Sequence, residues 1–353
     1  MKIAIFHDYF DTIGGGEKLV LEMAKALNAD IYTASLDKEK IKKITNQKIH
    51  LLKQTTKIPV LKAIHTSQIF KKANIKKEYD FFILSGNWTV FAAKKHTPNT
   101  YYMHTPVRMF YDSKKTFYKL TPWALKPIFL LWTYIHEKAI QKNMKYVQNI
   151  IANSKNVQNR IKKYHKRNST IIYPPIKKYK HKKHKNYWLS VNRITPHKRI
   201  HIQVDAFKKL PREELYVIGA NSEKDISNKY YKKLKKEATP NIHFLGHIKE
   251  EEIEKYYSNC KGFITTSKDE DFGMTVLEAM SAGKPVIATN EGGYRETVIE
   301  GTGIKIKPES KKLIKAIKKI NQNPTKYKKP CQTQAKKFET KIFHKKIKEH
   351  IKK

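Results

Sequence analysis

Short apolar runs alternate with longer helix-patterned segments along nearly all of the 353 residues, and the alternation stops once and starts again. That pattern is the mark of parallel α/β domains, because a crossover helix carries the chain back to the end of the sheet where the strand began, so that the next strand runs parallel to it. In the first half the strand-like runs are "KIAIFH", "DIYTAS", "DFFILS", "TYYMHT" and "NIIANS", with "GEKLVLEMAKALN" and "LKPIFLLWTYIHEKAIQKNM" among the helices. The segment "IIYPPIKKYKHKKHKN" (Ile171–Asn186) breaks the pattern with two prolines and a basic run, and reads as a solvated linker. Its His181 and His184 invite a metal reading that a charged connector explains more simply. Alternation then resumes with "YWLSVN", "ELYVIGA", "IHFLG", "GFITTS", "PVIAT" and "TGIKIK". The expected fold class is therefore α/β, with two Rossmann-like domains facing across a cleft. The expected boundaries are 1–176 for the first domain, 177–186 for the linker and 187–335 for the second domain. Residues 336–353 contain an amphipathic pattern, "AKKFETKIFHKKIKEHI" from Ala335, expected to pack back toward the first domain. Ligands of such sheets bind beyond the carboxyl ends of the strands.

One stretch concentrates chemistry there: "SKDEDFGMTVLEAMSAGKPVIATNEGG", Ser267–Gly293. It reads as loop, helix, strand, with Gly283 and Lys284-Pro285 ending the helix. Glu270 and Glu278 bracket the turn Asp271-Phe272-Gly273, and most of the helix around Glu278 is apolar or small. A carboxylate in such a helix is costly unless a polar group meets it. Asp269-Glu270-Asp271 superficially matches the acidic triplets that hold a nucleotide through a divalent ion. Because Phe272-Gly273 and a helix follow at once, we read Gly273, Met274 and Thr275 as a helix start whose amides face an anionic ligand, and expect no metal.

Three further places follow predicted strands. Gly14-Gly15-Gly16 precede a helix, where bare backbone lets a ligand approach and first-turn amides suit a phosphate; a plain flexible turn is the alternative. Arg193 and Lys198 lie in the loop after the first strand of the second half, where a fork and a point charge suit two phosphates. In so basic a chain either residue alone would be noise. His104 follows another strand, before Thr105-Pro106, and serves equally as a sugar ligand, a proton carrier or a structural hydrogen-bonding group. His7 and Asp8 carry the same ambiguity.

The formal net charge of +42 invites a nucleic-acid reading. Residues 1–176 carry 31 Lys/Arg against 11 Asp/Glu and the remainder 42 against 20, so the excess is even along the chain. An even spread favours a compositional origin over a nucleic-acid arm, and no specific nucleic-acid partner is expected. Nucleotide phosphates and an anionic membrane surface remain candidate partners. Cys260 and Cys331 sit outside metal or disulfide spacing, which suits a reducing cytoplasm. "MKIAIFHDYF" is a strand rather than a signal peptide, and the longest apolar run, Pro127–Ile135, falls short of the ~20 residues that span a bilayer. A cytoplasmic protein, either soluble or peripheral on the membrane, is the expectation.

Taken together, these residues resemble a retaining glycosyltransferase of family 4, with the GT-B architecture of two Rossmann-like domains around a nucleotide-sugar cleft. The family's Glu, Phe-Gly and second Glu eight residues on stand here as Glu270, Phe272-Gly273 and Glu278, followed by "EAMSAGKPVIAT" and "GG". Its Arg and Lys match Arg193 and Lys198, and its glycine loop matches "GGGEKLV". "YMHTPVRMFYD", "IIANSKNVQNRIKKYH" and "DEDFGMTVLEA" are similar to the mannosyltransferase branch that builds O-antigen and related surface polysaccharides, which commonly uses GDP-mannose.

The resemblance implies that Arg193 and Lys198 stabilise the departing diphosphate and that Glu270 accepts hydrogen bonds from donor-sugar hydroxyls. Backbone amides from Asp271 and Phe272 to Thr275 face sugar and phosphate, Glu278 holds the ribose, Gly15 and Gly16 admit acceptor and diphosphate, and His104 contacts the transferred sugar. It implies a nucleoside-diphosphate sugar as co-substrate, no cofactor or metal, and a glycan or lipid-linked glycan as acceptor. Three other readings stand beside it: a UDP-sugar transferase, a nucleotide-sugar epimerase, and a basic protein that binds nucleic acid or anionic membrane without catalysis.

Overall fold

The computed structural model describes residues 1–42, 45–219 and 227–352. The chain divides into two compact units, Met1–Pro174 with Phe343–Lys353, and Pro175–Ile342.

The first unit is built on β1 (Ile3–His7), β2 (Asp30–Thr33), β3 (Ile49–Leu51), β4 (Phe81–Ser85), β5 (Asn99–Met103), β6 (Asn149–Ala152) and β7 (Thr170–Ile171). They form one sheet in the order β3-β2-β1-β4-β5-β6-β7, with every pairing parallel. The second unit is built on β8 (Tyr187–Val191), β9 (Glu214–Ile218), β10 (Ile242–Gly246), β11 (Gly262–Thr265), β12 (Val286–Thr289) and β13 (Gly303–Ile306). Their order, β10-β9-β8-β11-β12-β13, is again all parallel. Both sheets are covered on two faces, which is why their strands read as continuous apolar runs.

Strand pleating sorts the first core into two layers. Ala4 and Phe6 face one cluster with Phe70, Trp132 and Ile140, while Ile3 and Ile5 face another with Leu19, Val20 and Met23. The C-terminal helix, Thr340–Ile351, completes the second cluster with Phe343, Ile347 and Ile351, one stripe at helical spacing. His344 Nε2 lies 3.1 Å from Glu22 Oε2 on the helix Gly15–Leu27 beside it.

Three details differ from the sequence reading, and one expectation reaches beyond the described residues. β3 and β7 were not foreseen, being too short to show a period of two. The single C-terminal helix expected from Ala335 is interrupted after Lys336 and resumes at Thr340. The last residue of the expected strand "ELYVIGA", Ala220, lies outside the described residues, as does Lys353. The basic linker exposes its lysines but is not a free connector. Tyr179 is buried and stacks on Tyr257 with centroids 4.8 Å apart, and its amide donates to Ser281 Oγ at 2.9 Å. The amides of Lys182 and Lys185 bond Ser258 and Asn259 carbonyls, and His181 Nδ1 takes the Ala282 carbonyl at 2.8 Å. Tyr179 and these hydrogen bonds thus dock the segment onto the second unit.

Candidate active site

In each sheet the strand order reverses once, between β1 and β4 and between β8 and β11. Connections from two such strands leave toward opposite faces, so the loops after them part and open a crevice. In the second unit those loops carry Arg193, Lys198 and Glu270.

After β8 the chain stays tied to the sheet through Asn192 N and Ile218 O, 3.0 Å, and Ile194 anchors it in the core. A single 3-10 turn, Pro196–Lys198, follows, and Arg199 takes a left-handed conformation (φ 51°) before the helix Ile200–Phe207. The loop after β11 is clipped to this turn. Thr266 Oγ1 lies 2.9 Å from the carbonyl oxygens of both Lys198 and Arg199, and the Lys268 amide donates to His197 O at 2.8 Å. Lys198 Nζ is thereby held 2.6 Å from Glu270 Oε2, with the two side chains 16% and 24% exposed. Burial pushes the Glu270 carboxyl up, but Lys198, His197 and a hydrogen bond from Ser267 together outweigh it and the net pKa is lowered. The Glu270 carboxyl is therefore ionised at neutral pH. Arg193 is exposed on the same loop.

A second ion pair shapes the Glu270 loop. Arg199 Nη1 donates to Glu291 Oε1 and Oε2 at 3.0 and 3.1 Å, and Glu291 Oε2 also accepts the Asp269 amide at 3.1 Å. Asp269 itself is left-handed (φ 49°), so this carboxylate braces a bend that a non-glycine residue resists. The two glycines that follow Glu291 let the chain pass against the loop. Gly292 has φ +53°, and a Cβ there would lie 2.2 Å from Glu270 O; Gly293 donates its amide to that same oxygen at 2.7 Å.

Gly273, at φ +90°, turns the chain into the helix Met274–Ser281, and a Cβ on it would lie 2.5 Å from the Tyr294 ring. Tyr294 is buried, and its hydroxyl lies 2.8 Å from Thr265 Oγ1. First-turn amides of a helix lack intrahelical acceptors and suit an anion. Phe272 is buried against Phe338, with centroids 5.5 Å apart, so its side chain anchors the turn. Asp271, Met274 and Thr275 are half-buried. Glu278, one face further along, accepts from the hydroxyl of buried Tyr257 at 3.0 Å. That bond supplies the polar partner its apolar helix demands.

In the first unit the ends of β1, β4 and β5 gather His7, Ser85 and His104. Ser85 Oγ lies 2.9 Å from His104 Nε2, and the Ser85 carbonyl accepts from His7 Nδ1 at 2.9 Å. His7 Nε2 is 3.7 Å from Glu17 Oε1, and the other oxygen of Glu17 accepts the Gly14 amide at 2.8 Å. Burial pushes the His104 pKa down to about 4, with His7 adding to the effect, so its imidazole is neutral at pH 7. Gly16 lies beside it: a Cβ there would stand 3.7 Å from His104 Cε1. Gly15 opens the helix Gly15–Leu27 after Gly14. Asp8 is spoken for by structure, since its carboxylate accepts the amides of Asn87 and Trp88. Burial pushes its pKa up to about 6.

The structure therefore pairs Lys198 with Glu270 and sets His104 beside Gly16, while Glu278 has its own partner in Tyr257. Sequence reasoning missed Arg199, Glu291, Tyr257 and Tyr294. For Glu291 the only local signal was its place before the glycine pair. Among the described residues no group of three or more His, Cys, Asp or Glu side chains is arranged to hold a metal ion.

Residues 174–338 match the family described as "Glycosyl transferases group 1". The second unit is a group 1 glycosyltransferase domain. The alpha-1,3/1,6-mannosyltransferase ALG2 of Dictyostelium discoideum is 33% identical over 165 residues, 41% of this chain and 39% of that protein. The chain thus spans about two fifths of the length of that relative. The crystal structure of Anabaena Alr3699/HepE in complex with UDP superposes with a TM-score of 0.81 over 100% of both chains at 20% identity. Sucrose-phosphate synthase from Thermosynechococcus elongatus gives 0.77 at 18% identity, covering 99% of this chain and 98% of that one. At these identities the likeness is one of fold, and the fold is GT-B.

Proposed function

We propose that this protein transfers a hexosyl group, mannose in first place, from a nucleoside-diphosphate sugar to a growing glycan acceptor with retention at the anomeric carbon. GDP-mannose is the favoured donor, and a lipid-linked acceptor in surface-polysaccharide synthesis, the O-antigen type included, is the favoured destination. The observation that carries the reading is the Lys198–Glu270 pair, 2.6 Å apart where the strand order of the second sheet reverses. It sets a cation for phosphate beside a carboxylate for hydroxyls in the place where such sheets bind ligands.

In this reading the bond from the sugar's anomeric carbon to the β-phosphate oxygen breaks while the acceptor oxygen bonds that carbon from the same face. The acceptor proton passes to the leaving phosphate, so no side-chain base is required. Lys198 and Arg193 meet the negative charge that develops on the diphosphate. The first-turn amides after Gly273 add to that stabilisation. Glu270 accepts from donor-sugar hydroxyls, Glu278 with Tyr257 holds the ribose, and Gly15 and Gly16 leave room for phosphate and acceptor. His104, neutral at pH 7, exchanges a hydrogen bond with a sugar hydroxyl. No metal is needed in this scheme.

The mannose preference is supported by the ALG2 relative. A uridine-based donor is the second reading, supported by the Anabaena structure, which is a complex with UDP. The deciding experiment measures transfer and hydrolysis of GDP-mannose, UDP-glucose and UDP-GlcNAc by the native chain and by Glu270→Gln and Lys198→Ala. Turnover of GDP-mannose lost in both variants supports the proposal. Unchanged turnover in both, or no turnover of any donor by the native chain, overturns it.

A further inference from the structure

The helices Lys114–Leu120 and Lys126–Met144, joined by the 3-10 turn Trp123–Leu125, leave large apolar side chains in water. Trp123 is 83% exposed, Leu120 66%, Leu131 62% and Ile128 61%. On the longer helix, Ile128, Leu131 and Ile135 stand at i, i+3 and i+7 and form one outward stripe. The same helix already buries Trp132, Ile140 and Met144 in the core of the first unit. Its water-facing side is therefore a second apolar face, and contiguous apolar surface of this kind marks an interaction site.

Charge identifies the partner. Residues 113–136 hold Lys114, Lys115, Lys119 and Lys126 and no Asp or Glu. A second copy of the chain seated by two-fold symmetry would bring the same lysines together with no carboxylate to meet them. An anionic bilayer answers both features, since apolar residues enter the acyl boundary, lysines meet lipid phosphates, and tryptophan favours the headgroup level. We infer that the segment 113–136 is a docking surface for an anionic phospholipid bilayer. Trp123, Ile128 and Leu131 enter the acyl boundary, and the four lysines sit among the headgroups. This surface belongs to the first unit, Lys198 and Glu270 belong to the second, and it is read by binding, so it stands or falls separately from the donor proposal.

The chain carries its own probe. Of the four tryptophans, Trp88, Trp132 and Trp188 are buried, so water-exposed emission comes from Trp123. The full chain is mixed with phosphatidylcholine vesicles that contain phosphatidylglycerol, and with phosphatidylcholine vesicles alone, at low and high salt. Expected are flotation with the anionic vesicles at low salt, a blue shift of the emission, and quenching by acyl-brominated lipid. Ile128→Ser with Leu131→Ser lowers the partition coefficient by about tenfold or more, as loss of two inserted aliphatic side chains requires. Each of Lys115→Ser and Lys119→Ser lowers it by about fivefold. Absence of binding to anionic vesicles at low salt overturns the inference, as does binding without a shift or quenching of Trp123. A dimer that dissociates in the Ile128→Ser, Leu131→Ser variant, with no vesicle binding by the native chain, assigns the face to a second copy instead. The quenching measurement needs no variant, so a substitution that impairs folding leaves the test intact.

Discussion

Glu270 Oε2 sits 2.6 Å from Lys198 Nζ, and the two residues come from loops 72 positions apart that meet where the second sheet reverses its strand order. Neither loop reaches the other by chance: the Thr266 hydroxyl and the Lys268 amide clip them together beneath the pair. Lys198→Ala leaves the half-buried Glu270 carboxylate without its cation, and Glu270→Gln leaves Lys198 with a neutral partner. We expect each to lower kcat for donor turnover by about 100-fold or more, as loss of a group that meets developing charge does. Steady-state kinetics checks this, and near-native melting curves show that the loss is chemical.

Gly292 is the backbone counterpart of that pair. Gly292→Ala places a methyl where only 2.2 Å separates it from Glu270 O, at a φ of +53° that alanine resists. The expected result is about 2 kcal/mol or more of lost stability together with weaker donor binding, because the displaced oxygen belongs to Glu270 itself. Gly246→Ala is the control: its φ is also positive, +69°, but a Cβ there meets nothing within 4 Å. Equal losses in the two variants would show that strain alone, and not the contact with the Glu270 loop, matters at Gly292.

Legibility in the sequence followed the range of the interactions. Strands buried on both faces are apolar runs, so all six strands of the second sheet were visible, while the short edge pieces β3 and β7 carried too few residues to show a period. Lys198 and Glu270 stood out because each falls just beyond a strand. Arg199 and Glu291, 92 positions apart, did not, since their pairing exists only after β8, β11 and β12 have assembled. The docking of Tyr179 was hidden for another reason: one aromatic among lysines has no periodicity, and its partner Tyr257 lies on a distant helix.

His104 and Asp8 give the first unit opposing responses to acid. The folded pKa of His104 is depressed to about 4 from 6.5, so between those values the unfolded chain binds the proton more tightly. Its contribution is full above pH 6.5 and is lost as the pH falls toward 4. Asp8 is raised from 3.8 to about 6, so its contribution is present below 3.8 and lost as the pH rises through 6. Denaturant unfolding measured from pH 7 to 4 is expected to show a shallower acid loss in His104→Gln and a steeper one in Asp8→Asn. The same slope in both variants would refute the assignment.

Tyr257 meets Glu278 with its hydroxyl at 3.0 Å and stacks on Tyr179 with its ring. Tyr257→Phe keeps the ring and removes the hydrogen bond, leaving the half-buried carboxylate with one donor fewer. We expect a stability loss of about 1–3 kcal/mol, the cost of an unmet charged acceptor, and weaker binding of the free nucleotide. Isothermal titration with GDP and UDP separates the two effects. A stability loss with nucleotide affinity unchanged would remove Glu278 from the ribose role while keeping its structural one.

The C-terminal helix makes its contribution through apolar contact. Phe343, Ile347 and Ile351 join the cluster formed by Ile3, Ile5, Leu19 and Val20, although the sequence separates them by most of the chain. Ile347 is fully buried, so Ile347→Ala opens a cavity in that layer and is expected to cost about 2–5 kcal/mol in the first unit. The two units have separate sheets and cores, so the damage should be local. Hydrogen exchange followed by mass spectrometry is expected to show faster exchange in β1, β2 and β4, with β8, β11 and β12 unchanged. Exchange accelerated equally in both sheets would show that the units unfold as one, and the helix would then stabilise the whole chain.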